Sequence, residues 1–482
     1  MGLTPGGEGQ RVSSPARGKV LVGGLRGSSG KTVVTLGLIG ALKSRGVPIA
    51  AFKKGPDYID AAWHTLATGS PCYCLDVYLM GAETVSLQFS KKAPLGGVAV
   101  VEGNRGLFDG FDEKGSFSTA ELGKLLDLPV ILVVDVTKCT RTAAALVLGC
   151  ARLDPGLRIG GIVLNRVAGS RHRRVAQRSI EEATGIPVVG AVPRLSKAAT
   201  PERHLGLVTP EETPDAEEWI INLGREIAPY MDVDRILEIS ASSEAVEGPR
   251  LHKVSAPSSG SRVKIGVVRD SAFPFYYPEN LEALEREGAE LVFLSAVSGA
   301  ELPDIDALYV GGGFPETHAE LLSGNHVFKR SLQEKAEVGL PVYAECGGAI
   351  YLGRRIHYDG RWHEMAGILP LDFEFCRKPQ GHGYTEWEID GENPFYEVGT
   401  RLKGHEFHYT RSPDFSREET ETVCRVERGS GFDGLREGVR VHNAVAFYGH
   451  VHALGSPEWA RGLVKAAEFY SAGRRDLQYA KV

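Results

Sequence analysis

The chain alternates short, wholly apolar runs with longer amphipathic stretches. Val20–Val22, Ile49–Phe52, Gly97–Val101, Val130–Val134, Ile159–Leu164 and Val188–Ala191 are rich in Val, Ile and Leu with little alternation, the pattern of strands buried on both faces. Helical patterns lie between them, the first over Thr32–Lys43. Strands separated by helices predict a parallel α/β sheet. The regularity fades after Ile239. Ser240–Arg262 carries Ser, Pro, Gly and Glu with few large apolar side chains and reads as a linker. A second α/β unit begins at Val263, with strands expected at Lys264–Val268, Glu290–Leu294, Ala307–Val310 and Val342–Ala344. The expected division is a flexible tail over 1–18, one domain over 19–239, the linker over 240–262 and a second domain over 263–482.

A length of 482 residues exceeds one ordinary core and agrees with two domains. Apolar residues at 42% and charged residues at 24% are the balance of a soluble globular protein. The net charge of −6 offers no basic face for nucleic acid. No run approaches the roughly 18–20 apolar residues of a membrane span, and the polar N-terminus lacks the apolar stretch of a signal peptide. Cys72, Cys74, Cys139, Cys150, Cys346, Cys376 and Cys424 form no paired framework, which suits a reducing compartment. The expectation is a cytoplasmic protein without nucleic-acid or membrane partners.

Gly24-Leu25-Arg26-Gly27-Ser28-Ser29-Gly30-Lys31-Thr32 follows a strand and opens a helix. Backbone amides at such a junction bind phosphate, and Gly27 and Gly30 let the chain approach closely. Lys31 is expected to neutralise β/γ-phosphate charge and Thr32 to place its hydroxyl on Mg²⁺. The loop is a longer variant, with Leu25 where the usual first glycine stands and Gly24 one residue earlier. Asp57 and Glu102 follow strands, where carboxylates face the ligand crevice and can share Mg²⁺ with phosphate oxygens.

In the second half, Val342-Tyr343-Ala344-Glu345-Cys346-Gly347-Gly348 has the strand–turn–helix context of a nucleophile elbow. The helix start favours the thiolate of Cys346, and the Gly347 amide is an oxyanion donor. His450 in Phe447-Tyr448-Gly449-His450-Val451-His452 is the candidate base, with His452 the runner-up. Gly311-Gly312-Gly313-Phe314-Pro315-Glu316 supplies a second oxyanion donor, Gly313. His405-Glu406-Phe407-His408 lacks a third ligand of clear spacing and is not read as a metal site. Cys72 with Cys74, and Arg171–Arg174, are likewise set aside as sites.

Together these segments resemble the cobyrinic acid a,c-diamide synthase family over about residues 18–470. The long P-loop, Lys54-Gly55-Pro56-Asp57-Tyr58-Ile59-Asp60, Leu107-Phe108-Asp109-Gly110, Pro201-Glu202-Arg203-His204-Leu205-Gly206-Leu207, the Gly-Gly-Gly-Phe-Pro-Glu loop, Glu345-Cys346-Gly347-Gly348 and Gly404-His405-Glu406-Phe407-His408-Tyr409 carry the resemblance. It implies a dethiobiotin-synthetase-like ATP-binding domain followed by a class I-type glutaminase domain. By this resemblance Cys346 would release ammonia from glutamine, and a substrate acetate side chain would be converted with ATP to an acyl phosphate, which ammonia would displace. Thr32, Asp57 and Glu102 match the Mg²⁺–ATP positions, Asn165 an adenine contact, and Asp60 and Asp109 the substrate side. Class I glutaminases often place a Glu two residues after the base. His452 stands there, and the resemblance implies a Cys–His pair with no third member. A homodimer is also implied.

Lys53–Trp63 and Glu102–Leu107 are similar to the branch associated with dissimilatory sulfite reductase. That favours sirohydrochlorin or sirohaem as the tetrapyrrole over cobyrinic acid, with a nickel-sirohydrochlorin amidase as a further branch. A partition-type P-loop ATPase accounts for the first half only. A free-standing glutaminase subunit accounts for the second half only.

Overall fold

The computed structural model describes residues 18–94, 96–195, 202–203, 206–242 and 263–479. Residues 1–17 of the tail, most of the linker, and Pro201, His204 and Leu205 of the Pro201–Leu207 motif lie outside them.

The first unit is a seven-stranded sheet: β1 (Gly18–Gly24), β2 (Ile49–Lys54), β3 (Tyr73–Leu75), β4 (Val98–Glu102), β5 (Val130–Asp135), β6 (Ile159–Val167) and β7 (Val188–Pro193). Their spatial order is β3-β2-β4-β1-β5-β6-β7, and every pairing is parallel. Two apolar clusters, one on each face of the sheet, explain the unbroken apolar runs: alternate side chains of each strand enter different clusters, as Leu21 and Val20 do. Helix α1 (Lys31–Ser44) connects β1 to β2 and α2 (Ile59–Thr68) connects β2 to β3. Because β4 inserts between β1 and β2, a crevice opens at the carboxyl ends of β1 and β4. A last helix, α3 (Val233–Ala241), runs two residues past the boundary expected at 239.

The second unit has a ten-stranded mixed sheet. Four parallel neighbours, β8 (Lys264–Val268), β9 (Glu290–Leu294), β10 (Ala307–Val310) and β11 (Val342–Glu345), match the expected strands. An antiparallel half was not foreseen: β12 (Gly381–Ile389), β13 (Arg401–His408), β14 (Thr422–Arg428), β15 (Arg436–Val441) and the short β17 (His450–Val451). The halves join at β16 (Ala444–Phe447), which pairs parallel to β11 and antiparallel to β15. The carboxyl ends of β10, β11 and β16 therefore share one edge.

The two units meet through buried polar and aromatic contacts. Tyr78 stacks on Tyr384 with centroids 4.1 Å apart. The Tyr384 hydroxyl donates to Asp76 at 2.6 Å, and the Cys74 amide donates to Glu279 at 2.8 Å. Among the described residues no helix is long and apolar enough to cross a membrane.

Candidate active site

The phosphate loop is held by its neighbours. Gly30 has φ 85°, and a Cβ there would come within 2.2 Å of the Asn165 amide nitrogen, so glycine is required both by conformation and by space. That nitrogen donates to the Ser29 carbonyl at 2.9 Å. Lys31 Nζ donates to the Arg105 carbonyl at 2.7 Å, and the Leu107 amide donates to Gly24 at 2.8 Å. These bonds fasten the loop to the segment that carries Asp109, whose carboxylate accepts the Gly106 amide at 3.0 Å. Gly27 is open, with nothing within 4 Å of a Cβ built there. Burial, and then Lys53, lower the Lys31 pKa.

At the carboxyl ends of β2 and β4 the acidic residues converge. Lys53 Nζ lies 2.6 Å from Asp60, 2.8 Å from Glu102 and 3.5 Å from Asp57. The Thr32 hydroxyl donates to Glu102 at 2.9 Å, and His64 Nε2 lies 2.8 Å from the other Glu102 oxygen. Burial opposes charge on Lys53, but Asp60, Glu102 and Asp57 outweigh it and raise its pKa well above the ordinary value. Burial and Asp57 hold the Asp60 pKa well up, whereas Lys53 and His64 overcome burial and depress that of Glu102. Thr32, Asp57 and Glu102, grouped from the sequence, lie in one cluster. Asp60, placed on the substrate side, shares that cluster. Lys53 and His64 at its centre were missed: Lys53 closes an apolar strand run, and His64 lies inside a helix. The donors are hard oxygens around a buried cation, a set that fits Mg²⁺.

On the other unit, β11 runs into Cys346, whose φ of 48° and ψ of −101° give the strained turn of a nucleophile elbow. A helix follows at once over Gly347–Leu352. A Cβ on Gly347 would meet the Gly313 nitrogen at 2.8 Å, so the two expected oxyanion donors are neighbours. His450 is buried and stacks on His405 with centroids 4.9 Å apart. Burial lowers its pKa, yet hydrogen bonds with Cys346 and Glu345 prevail and lift it to about 9. His450 Nδ1 lies 3.2 Å from Glu345 Oε2. Glu345 was not singled out from the sequence, where no third member was assigned to the Cys–His pair. His452 does not take that place. Its ring packs on Tyr277 at 4.6 Å and lies 3.8 Å from Glu279.

The two clusters adjoin. Tyr58, between Asp57 and Asp60, stacks on Phe275 at 5.1 Å, and its ring centroid is 5.2 Å from that of His450.

Residues 20–208 match the family model described as CobQ/CobB/MinD/ParA nucleotide binding domain, and residues 264–458 the CobB/CobQ-like glutamine amidotransferase domain. Fold and matched domains define a nucleotide-binding, glutamine-dependent amidotransferase. A protein of Magnetococcus marinus named cobyrinate a,c-diamide synthase is 41% identical over 93% of this chain and 96% of its own. Proteins of the same name from Archaeoglobus fulgidus and Methanosarcina acetivorans are 38% and 37% identical, over 93% and 95% of this chain and 97% and 96% of theirs. The chain belongs to the cobyrinate a,c-diamide synthase family. Both domain matches within one chain, with relatives aligned over nearly their whole length, set aside the partition-type ATPase and the free-standing glutaminase.

Proposed function

We propose that this chain amidates acetate carboxylates of cobyrinic acid, with glutamine as nitrogen donor and ATP as the source of activation. The observation that carries the proposal is the adjacency of the two clusters: a single residue, Tyr58, spans from the acidic crevice to the glutaminase base.

In the glutaminase, His450 holds the Cys346 proton as an imidazolium, and the thiolate attacks the glutamine carboxamide carbon. The amides of Gly313 and Gly347 receive the developing oxyanion. His450 returns the proton to the leaving nitrogen, ammonia departs, and water hydrolyses the thioester to glutamate. In the synthetase, the loop amides of Gly27–Thr32 and the Lys31 ammonium bind the β/γ-phosphates, and Asn165 keeps the loop in shape. Thr32, Asp57 and Glu102 would hold Mg²⁺, which neutralises phosphate charge. Asp60 and Asp109 line the substrate side, and the substrate carboxylate faces the γ-phosphorus. The carboxylate oxygen displaces ADP, and ammonia then attacks the acyl carbon, expelling phosphate and losing a proton.

Sirohydrochlorin is the second reading, favoured by the Lys53–Trp63 segment. Trp63 weakens it. Its ring is fully buried, donates to the Val208 carbonyl at 2.8 Å and packs on Trp219, so it reports on the core rather than on the ring recognised. The test is a competition in which purified protein, ATP, Mg²⁺ and glutamine are offered cobyrinic acid, sirohydrochlorin and sirohaem together. Mass spectrometry should find the carboxyl-to-carboxamide change of about one mass unit first on cobyrinic acid. Preferential conversion of a sirohydrochlorin-type ring refutes the substrate assignment, and conversion of none refutes the function.

A further inference from the structure

The strand that delivers the nucleophile also delivers a buried carboxylate. Glu345 is the last residue of β11 and is 1% exposed. Its two oxygens are served by three groups. Oε2 accepts the Tyr309 hydroxyl at 3.1 Å and lies 3.2 Å from His450 Nδ1, while Oε1 accepts the Val451 amide at 3.3 Å. A buried carboxylate is costly unless such donors surround it. All three come from strands or loops that flank the nucleophile, so the carboxylate is fixed relative to the elbow. The downstream position that would otherwise carry an acid holds His452, which turns to Tyr277 and Glu279.

We propose that Glu345 is the positioning residue of the glutaminase site: it accepts Nδ1–H of His450, fixes that tautomer, directs Nε2 at Cys346 and stabilises the imidazolium formed when the thiol proton is taken. The inference rests on the amidotransferase reading above. His450 is also faced by Cys346 and by the rings of His405 and Tyr58. The repulsion that His405 and His408 each feel is partly from His450. Glu345 is the nearby carboxylate that favours charge on the ring.

The test uses the full chain with Glu345→Gln. Glutaminase kinetics are followed from pH 6 to 10 without tetrapyrrole, and amidation is assayed on the same preparation with ammonium chloride as nitrogen source. The expected loss is about 10- to 1,000-fold in kcat, with KM for glutamine little changed, as for a group that orients a catalytic base. The negative charge of Glu345 helps to raise the imidazole pKa to about 9. Its removal should therefore shift the alkaline limb to lower pH. Amidation with ammonium should stay within about twofold of wild type, because it bypasses the base. Glu345→Asp should recover part of the rate. Tyr309→Phe, which removes one of the two partners of Oε2, should lower kcat about threefold or more without changing KM. An unmoved alkaline limb with wild-type kcat in Glu345→Gln, or loss of ammonium-dependent amidation along with the glutaminase, overturns the proposal. If wild-type protein forms no amide from ammonium, the amidotransferase reading fails, while the pH profile still judges Glu345.

Discussion

Replacing Lys53 by Met tests whether its ammonium is the counter-charge of the acidic crevice. The side chain is 2% exposed, and Nζ lies 2.6, 2.8 and 3.5 Å from Asp60, Glu102 and Asp57. Methionine preserves the volume and removes the charge. Taking one partner from a buried ion pair costs about 3–5 kcal/mol, chiefly because the remaining charge is left without compensation. The side chains of Asp57 and Asp60 are 25% and 19% exposed, so water relieves part of the repulsion and the lower figure applies. About 3 kcal/mol corresponds to roughly 6–12 °C in the melting temperature of a domain of this size. Calorimetry of the full chain in EDTA at pH 7.5 measures it. Millimolar Mg²⁺ should restore about 2–3 kcal/mol if it reaches some hundred times its Kd, since it binds the folded crevice and supplies the missing charge. Acidification should shrink the deficit, because protonated carboxyls need no counter-charge. A variant that melts within about 2 °C of wild type in EDTA would refute the reasoning, because Lys53 would then be a spectator of the cluster.

Cys346→Ala should abolish glutamine-dependent amidation and retain amidation with added ammonium; loss of both in a folded protein, judged by product mass, would sink the two-site scheme. Tyr58→Ala removes the aromatic wall between Asp57 and His450, and amide formed per glutamate released should fall several-fold, while an unchanged ratio would show that the ring does not guide ammonia. Glu437 is a buried carboxyl whose pKa burial pushes up to about 8, against hydrogen bonds from the Gly438 and Tyr448 amides. The folded chain therefore keeps a proton that the unfolded chain releases, so this group's contribution falls as pH rises from about 4.5 to about 8. Glu437→Gln should flatten the stability-versus-pH curve over that window, and parallel curves for the two proteins would contradict it.

Much of the site is legible where its chemistry is local. A phosphate loop needs glycines, a lysine and a hydroxyl within one strand–helix junction. A nucleophile elbow needs a strand, a thiol and small neighbours within a few residues. The parallel strands are equally plain, because burial on both faces removes polar positions from runs such as Val130–Val134. The antiparallel half is written in weaker alternation. Along β12, Trp387 and Ile389 are buried while Glu386 and Glu388 remain partly exposed, a period-two pattern easily lost among charged residues.

What the sequence by itself determined is therefore the two kinds of domain, their order, and the local motifs that set Lys31 and Thr32 at one strand–helix junction and Cys346 at another. Tertiary structure alone decided which of them share a partner. Lys53 reaches Glu102, 49 residues away, because β2 pairs with β4, and Asp60, 7 residues on, joins them from the start of α2. Glu345 reaches His450, 105 residues away, because β16 returns parallel to β11. Residue spacing records short-range backbone preference and phosphate or nucleophile geometry. Strand order, which closes these long loops, is set by the packing of whole faces and leaves no signal at the two residues it brings together.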